Sequence, residues 1–257
     1  LAKIRIPVPP LEVQREIVRI LDTFTELEEE LEAELEAELE ARKRQYNHYR
    51  DTLIAEPGRT SVPRVSLGDL ATFKYGLTAK AAAEGEYRFI RITDIMPNGK
   101  LSPNEAKYVD GSSGASDYLV RDGDLLMART GATYAKTMLA EGDLNAAYAS
   151  FLIRIRVDES ALVPAYYWHF AQSGHYWRQA DALVSTGGQP QFNANVLKTV
   201  QVPVPSLDEQ RRVAEILNSF DALVNDMSVG LPAELAARRR QYEHYRDRLL
   251  TFEEALS

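Results

Sequence analysis

Three loops and one strand-like run of this sequence carry hydrogen-bonding side chains whose types suit reading the edges of nucleic-acid bases. Arg129, Thr130, Tyr134 and Lys136 surround Gly131 in ARTGATYAKT, directly after an apolar run that reads as a strand. Gln189, Gln191 and Asn193 lie in the glycine-rich STGGQPQFNAN. Lys74, Tyr75 and Lys80 fall in FKYGLTAK, and Arg91, Thr93 and Asp94 on the strand-like RFIRITDI. Arginine pairs bidentately with guanine, asparagine and glutamine pair with adenine, and lysine, threonine and tyrosine reach phosphates. Polar turn loops occur in every protein, so each stretch alone is a weak signal. Their collection in one region is what points to a nucleic acid.

Residues that make or break bonds are not arranged here in any familiar way. The sequence has no Walker phosphate loop, no strand–GxGxxG–helix, no HExxH and no Asn-Pro-Pro-aromatic motif of the amino-methyltransferase kind. It has no cysteine, which removes disulfides, thiolate zinc sites and cysteine nucleophiles and suits a reducing cytoplasm. His48 and His244 sit at equivalent positions beside tyrosines, which suggests packing. His169 and His175 lie among aromatics with no second ligand at metal spacing. The expectation is a binding protein with no catalytic residues, no metal and no cofactor of its own.

The elements that must position those loops follow from composition and periodicity. The chain has 257 residues, 45% of them hydrophobic, enough for one large or two modest domains. Its net charge of −8 weighs against a polyanion partner, but much of the acidity sits in ELEEELEAELEAELE, Glu26 to Glu40, and the region from 56 to 200 is near neutral. No apolar run approaches the ~20 residues of a membrane span, and no signal segment opens the sequence, so a cytoplasmic protein is expected.

A repeat organises the rest. LAKIRIPVPPLEVQREIVRILDTF from Leu1 matches LKTVQVPVPSLDEQRRVAEILNSF from Leu197, and ARKRQYNHYRDTL from Ala41 matches ARRRQYEHYRDRL from Ala237. Pro7 and Pro203 lie 196 residues apart, as do Tyr46 and Tyr242. The match needs no gap over roughly fifty residues, nearly half of them identical, a duplication of domain plus helix and not a solenoid. Each copy runs from a short edge strand through Pro-x-Pro into a long helix. The first helix is predicted over 11–55, with Leu27, Leu31, Leu35, Leu39, Tyr46 and Tyr49 on its apolar face. The second region, 206–257, carries Tyr242 and Tyr245 and should break near 228–232, where SVGLP puts Pro232 in a new first turn. Two such helices can bury their seams against each other as an antiparallel pair. Between them, 56–205 reads as a strand-rich domain, with one or two helices from Pro164 to Ala182 whose aromatics suit a core. The fold class is α+β. A coiled-coil scaffold whose central domain binds protein instead of DNA fits the same pattern.

These residues resemble the specificity subunits of type I restriction-modification enzymes. The most characteristic parts are IPVPPLEVQREIVRILDTF with its twin VPVPSLDEQRRVAEILNSF, and ARKRQYNHYRDTL with GLPAELAARRRQYEHYRDRLL; VSLGDLATFKYG, GDLLMARTG and GGQPQF are looser. The resemblance covers the whole sequence. It implies a mixed α/β target-recognition domain that reads half of a split double-stranded DNA site, flanked by two long helices paired as an antiparallel coiled coil. It also implies partners: methyltransferase (modification) subunits using S-adenosylmethionine, and restriction motor-nuclease subunits using ATP and Mg, with those cofactors belonging to the partners. The family pattern is domain, helix, domain, helix. Here a first domain is missing and 1–10 reads as its tail, so the expectation is either a fragment or a half-subunit that pairs with a second copy of itself.

Overall fold

The computed structural model describes residues 8–55, 62–184, 191–225 and 230–251. The chain divides into two compact units, one of Asn47–Asn218 and one of Leu1–Tyr46 with Ser219–Ser257. Three helices dominate: α1 (Leu11–Ala55), α6 (Leu207–Asn225) and α7 (Gly230–Leu250). At 45 residues, α1 is ~65 Å long given about 1.5 Å per residue. It covers the span predicted from its apolar spacing. The break in the second region falls between Asn225 and Gly230, and Pro232 lies in the first turn of α7. Residues 226–229 are outside the described residues.

In the helical unit, rising numbers on α1 meet falling numbers on α7, so the two run antiparallel. Phe24 stacks on Tyr245 with ring centroids 6.2 Å apart, Thr25 shares a 3.0 Å hydrogen bond with the Tyr242 hydroxyl, and Arg239 donates to Glu32 at 2.5 Å. The seam is partial. Leu35 and Tyr46 are buried, and Leu31, Leu39 and Tyr242 half-buried, whereas Leu27 is 57% exposed and Tyr245 is also exposed. A narrow α1–α7 pairing covers only part of a face as wide as that of α1, so Phe24, Leu27 and Tyr245 line an open apolar groove with Leu21 and Leu31.

The described residues of the other unit form three sheets. β2 (Ala71–Tyr75), β8 (Leu152–Val157), β5 (Leu125–Ala128) and β6 (Thr137–Leu139) form an antiparallel sheet in the order β2-β8-β5-β6. β4 (Tyr108–Val109), β3 (Tyr87–Ile90) and β7 (Ala146–Tyr148) form a second, in which β3 and β7 are parallel. Among the described residues β1 (Arg64–Ser66), which leads into the short helix α2 (Leu67–Leu70), pairs only with β9 (Gln201–Pro203), the edge strand that ends in the Pro-x-Pro stop. Strict alternation in β8, LIRIRV, sends Ile153 and Ile155 to one face and Arg154 and Arg156 to the other. Leu126, Met138, Tyr148, Leu152 and Ile90 share one core cluster.

Helices α3 (Pro164–Ala171) and α4 (Gly174–Leu183) supply the aromatic core: Tyr166, Tyr167, Trp168, Phe170 and Tyr176 are all buried. Pro164 opens α3, where its missing N–H costs nothing, and Ser173 caps α4 by accepting from Tyr176 N. This compact unit extends beyond the predicted 56–205 at both ends. Ile54 on α1 and Gln210, Val213 and Leu217 on α6 are fully buried, so the helix ends that flank the domain are part of its core.

Candidate nucleic-acid interface

One end of the four-stranded sheet gathers much of the predicted binding chemistry. Tyr75 closes β2, Arg129 follows β5, and the turn from Ala149 to Phe151 leads into β8. Gly76 makes the meeting possible. A Cβ there would collide with the Ala149 carbonyl, so only glycine lets β2 come this close to the turn. Backbone bonds fix it: Gly76 N donates to Leu152 O at 3.1 Å, Leu77 N to Tyr148 O at 2.9 Å and Ser150 N to Leu77 O at 2.8 Å.

Arg129 is the centre of this end. Its backbone N–H donates to Phe151 O at 3.0 Å, and its carbonyl accepts from Phe192 N at 2.8 Å. Its side-chain Nε donates to Ser150 O at 3.1 Å, and its Cζ lies 5.4 Å from the Tyr75 ring centroid and 5.6 Å from that of Phe151. Both distances are within cation–π range. Tyr75 is 44% and Phe151 51% exposed, so the guanidinium has an aromatic surround open to solvent. The Tyr75 hydroxyl in turn accepts from Ala194 N at 3.1 Å.

The neighbouring candidates take mixed roles. Gln191 donates to the Thr130 hydroxyl at 3.0 Å, and the two residues form a single β-bridge. Thr130 is buried, so it supports Gln191 and does not face solvent. Asn193 caps α5 (Ala194–Leu197), accepting from Asn195 N and Val196 N, which occupies its carbonyl oxygen. Tyr134 donates to Asp181 at 2.6 Å and packs edge-on against Trp177. That carboxylate, with partial burial, holds the phenol above its ordinary pKa. Lys136 is half-buried, and its ammonium has no intramolecular partner among the described residues. The loop that carries these residues is tied down by its own backbone: a single-turn 3₁₀ helix at Gly131–Thr133 is followed by Ala135 at φ 63, whose carbonyl accepts from the Tyr176 hydroxyl and the Thr137 hydroxyl. Gln189 is outside the described residues.

Other candidates stand apart from this arrangement. The strand expected through RFIRITDI stops at Ile90, and Ile92–Asp94 is a 3₁₀ turn. Arg91 grips the buried Asp94 with two hydrogen bonds of 3.1 and 2.7 Å while its own N–H donates to the same carboxylate at 2.8 Å. A local capping pair has captured that guanidinium, and Thr93 is left exposed beside it. Strand alternation turns Lys74 to the face opposite Tyr75. There it donates to Asp117 O at 2.7 Å and lies 4.3 Å from the Tyr118 centroid. Lys80 is exposed on the following loop. Among the described residues no group of three or more His, Asp or Glu side chains could hold a metal ion, and no helix is long and apolar enough to cross a membrane.

Sequence reading missed Ser150 and Phe151, which stand in the strand-like run ASFLIRIRV just ahead of β8. The signal was present: Phe151 and Leu152 are adjacent apolar residues, and in an alternating strand one of the two must face out.

This chain matches the family of type I restriction modification DNA specificity domains over residues 1–41 and 62–237, and it belongs to that family. It is 35% identical over 265 residues to a Haemophilus influenzae protein that carries the name of a type I restriction enzyme specificity subunit, S.HindORF215P; the match covers 98% of this chain and 65% of that one. The Escherichia coli type I restriction enzyme EcoR124I/EcoR124II specificity subunit is 33% identical, with 97% and 63% covered. A solved chain from a type I R-M system shares the fold with a TM-score of 0.65 at 20% identity, covering 95% of this chain and 60% of its own. The chain thus spans less than two thirds of the length of these relatives.

Proposed function

We propose that this chain is the DNA-reading part of a type I specificity subunit: a non-catalytic module that recognises one half of a bipartite duplex site and brings modification and restriction subunits to it in the cytoplasm. The observation that carries the reading is the convergence of Tyr75, Arg129 and Gln191, from three separated segments, at one sheet end. Arg129 and Gln191 are of types that match base edges, Tyr75 adds an aromatic ring beside the guanidinium, and Lys136 on the same loop as Arg129 suits a phosphate. Family membership points the same way. Two recognition domains would read two half-sites, with α1 and α7 setting their separation, and the open groove along Phe24, Leu27 and Tyr245 offers protein partners an apolar surface. S-adenosylmethionine, ATP and Mg would then be bound by those partners, and the chain itself needs no cofactor.

The test is selection from a random duplex library by the protein in its native assembly, with the purified chain assayed alone for methyl transfer. A split motif and no transfer by the chain alone is the expected result. Selection of no sequence overturns DNA reading, and turnover by the highly purified chain overturns the non-catalytic role.

A further inference from the structure

We infer that Arg129 reads a guanine, and that Tyr75, Ser150 and Phe151 hold its guanidinium in the pose that does so; the inference rests on the DNA-reading role proposed above. A long, flexible side chain gives sequence information only if its donors are fixed before the duplex arrives. Arg129 meets that condition. Its backbone is bonded on both sides, to Phe151 O and Phe192 N, its Nε is anchored on Ser150 O, and two aromatic rings lie within cation–π distance. Nη1 and Nη2 make no hydrogen bond among the described residues, which leaves a two-pronged donor edge. Guanine offers the matching pair of acceptors, O6 and N7, in the major groove.

A phosphate would also accept such a fork, but the surround argues for a base. The rims beside the guanidinium are the rings of Tyr75 and Phe151, both exposed. Apolar rims suit base edges and a thymine methyl group, whereas a phosphate gains more from further cations. The half-buried Lys136 has no side-chain partner among the described residues and sits on the same loop, where it can take the phosphate role. Arg91 gives the contrast within this domain: its fork is closed on Asp94 and is not available to a base.

The experiment compares wild type, Arg129→Ala, Arg129→Lys and Phe151→Leu, each in the native assembly, for selection from a random duplex library and for binding across a salt series. A thermal unfolding scan of each variant checks folding. Arg129→Ala should reduce preference for G at one position roughly 5- to 150-fold while the other selected positions stay unchanged. The salt slope should stay as in wild type, because no phosphate contact is lost. Arg129→Lys should not restore the preference, since a point charge lacks the fork. Phe151→Leu should weaken discrimination at the same position and no other. Uniform loss across all sequences with a shallower salt slope would make Arg129 a phosphate clamp and overturn the inference. So would an unchanged motif in folded Arg129→Ala. A wild-type assembly that selects no sequence at all sinks the DNA reading itself, and this assignment with it.

Discussion

The side-chain oxygen of Gln210 accepts the backbone N–H of Val163 at 2.8 Å, tying the first turns of α6 to the residue that caps α3. Its Nε2 donates to the carbonyls of Ala161 at 3.0 Å and Pro205 at 2.9 Å, and the side chain is fully buried. Gln210→Leu would remove the side-chain partner of three backbone groups at a fully buried position. It should cost about 2–4 kcal/mol of unfolding free energy, measured by urea titration. The duplicate residue is the control. Gln14 makes the same local bond, to Pro9 O at 2.6 Å, but only in a half-buried setting, so Gln14→Leu should cost under about 1 kcal/mol.

Asp124 and Arg156 provide a second test. The buried Asp124 carboxylate takes hydrogen bonds of 2.7 and 2.8 Å from Arg156 and one of 2.9 Å from Arg121 N. Arg156→Met strands that charge and should cost about 3 kcal/mol or more. Adding Asp124→Asn should recover part of the loss, because the buried charge is then gone. A double-mutant cycle in denaturant reads the coupling directly.

The helix pair contains two glutamates with opposite pH signatures. Burial raises the Glu28 pKa, with repulsion from Glu32 and Glu243 only partly offset by Arg239 and Arg246. The hydrogen bond from Arg239 holds Glu32 below the ordinary carboxylate range. Ionised Glu28 therefore lowers stability above its unfolded pKa, fully so above its raised folded value. Glu32 contributes stability at neutral pH that is lost as pH falls through its depressed value. Glu28→Gln should raise the thermal midpoint at neutral pH, with the gain gone below about pH 4. Glu32→Gln should lower the midpoint at neutral pH, and its deficit should close only in more acidic solution.

Periodic features of this molecule were legible in its sequence. The ends of α1 followed from apolar spacing, the break before α7 from Gly and Pro, and the aromatic core of α3 and α4 from composition. Features set by which partner a side chain takes in the fold were not. Arg91 looks like a reader until Asp94 is seen to close on it, Asn193 until it is seen to cap α5, and Thr130 until Gln191 covers it. Phe151 was hidden for the opposite reason: only the close approach at Gly76 turns a strand-like residue into part of a surface. The domain edges were underestimated because a helix end that enters a core has the same periodicity as one that stays in solvent.

The tandem LEAE of residues 31–38 gives a prediction about spacing. Inserting a third copy lengthens α1 by ~6 Å at about 1.5 Å per residue. That is one to two base pairs at ~3.4 Å each. Four residues are close to one turn, so the apolar face that carries Leu31 and Leu35 stays aligned for pairing. In a protein with two recognition domains, the insertion should leave both half-sites unchanged and widen the gap between them by about one or two base pairs. A two-residue insertion should rotate the seam away and abolish activity. Mapping the methylated motif in each variant host decides it.

The central claim is that this protein gives a DNA-modifying assembly its address, and a map of DNA methylation across the host genome, with and without the gene, tests it most directly. Deleting the gene should erase methylation at one bipartite motif and leave every other methylated motif intact, and restoring the gene should restore that motif. A methylation map that is identical with and without the gene, in cells that express the protein and its partner subunits, would contradict the account.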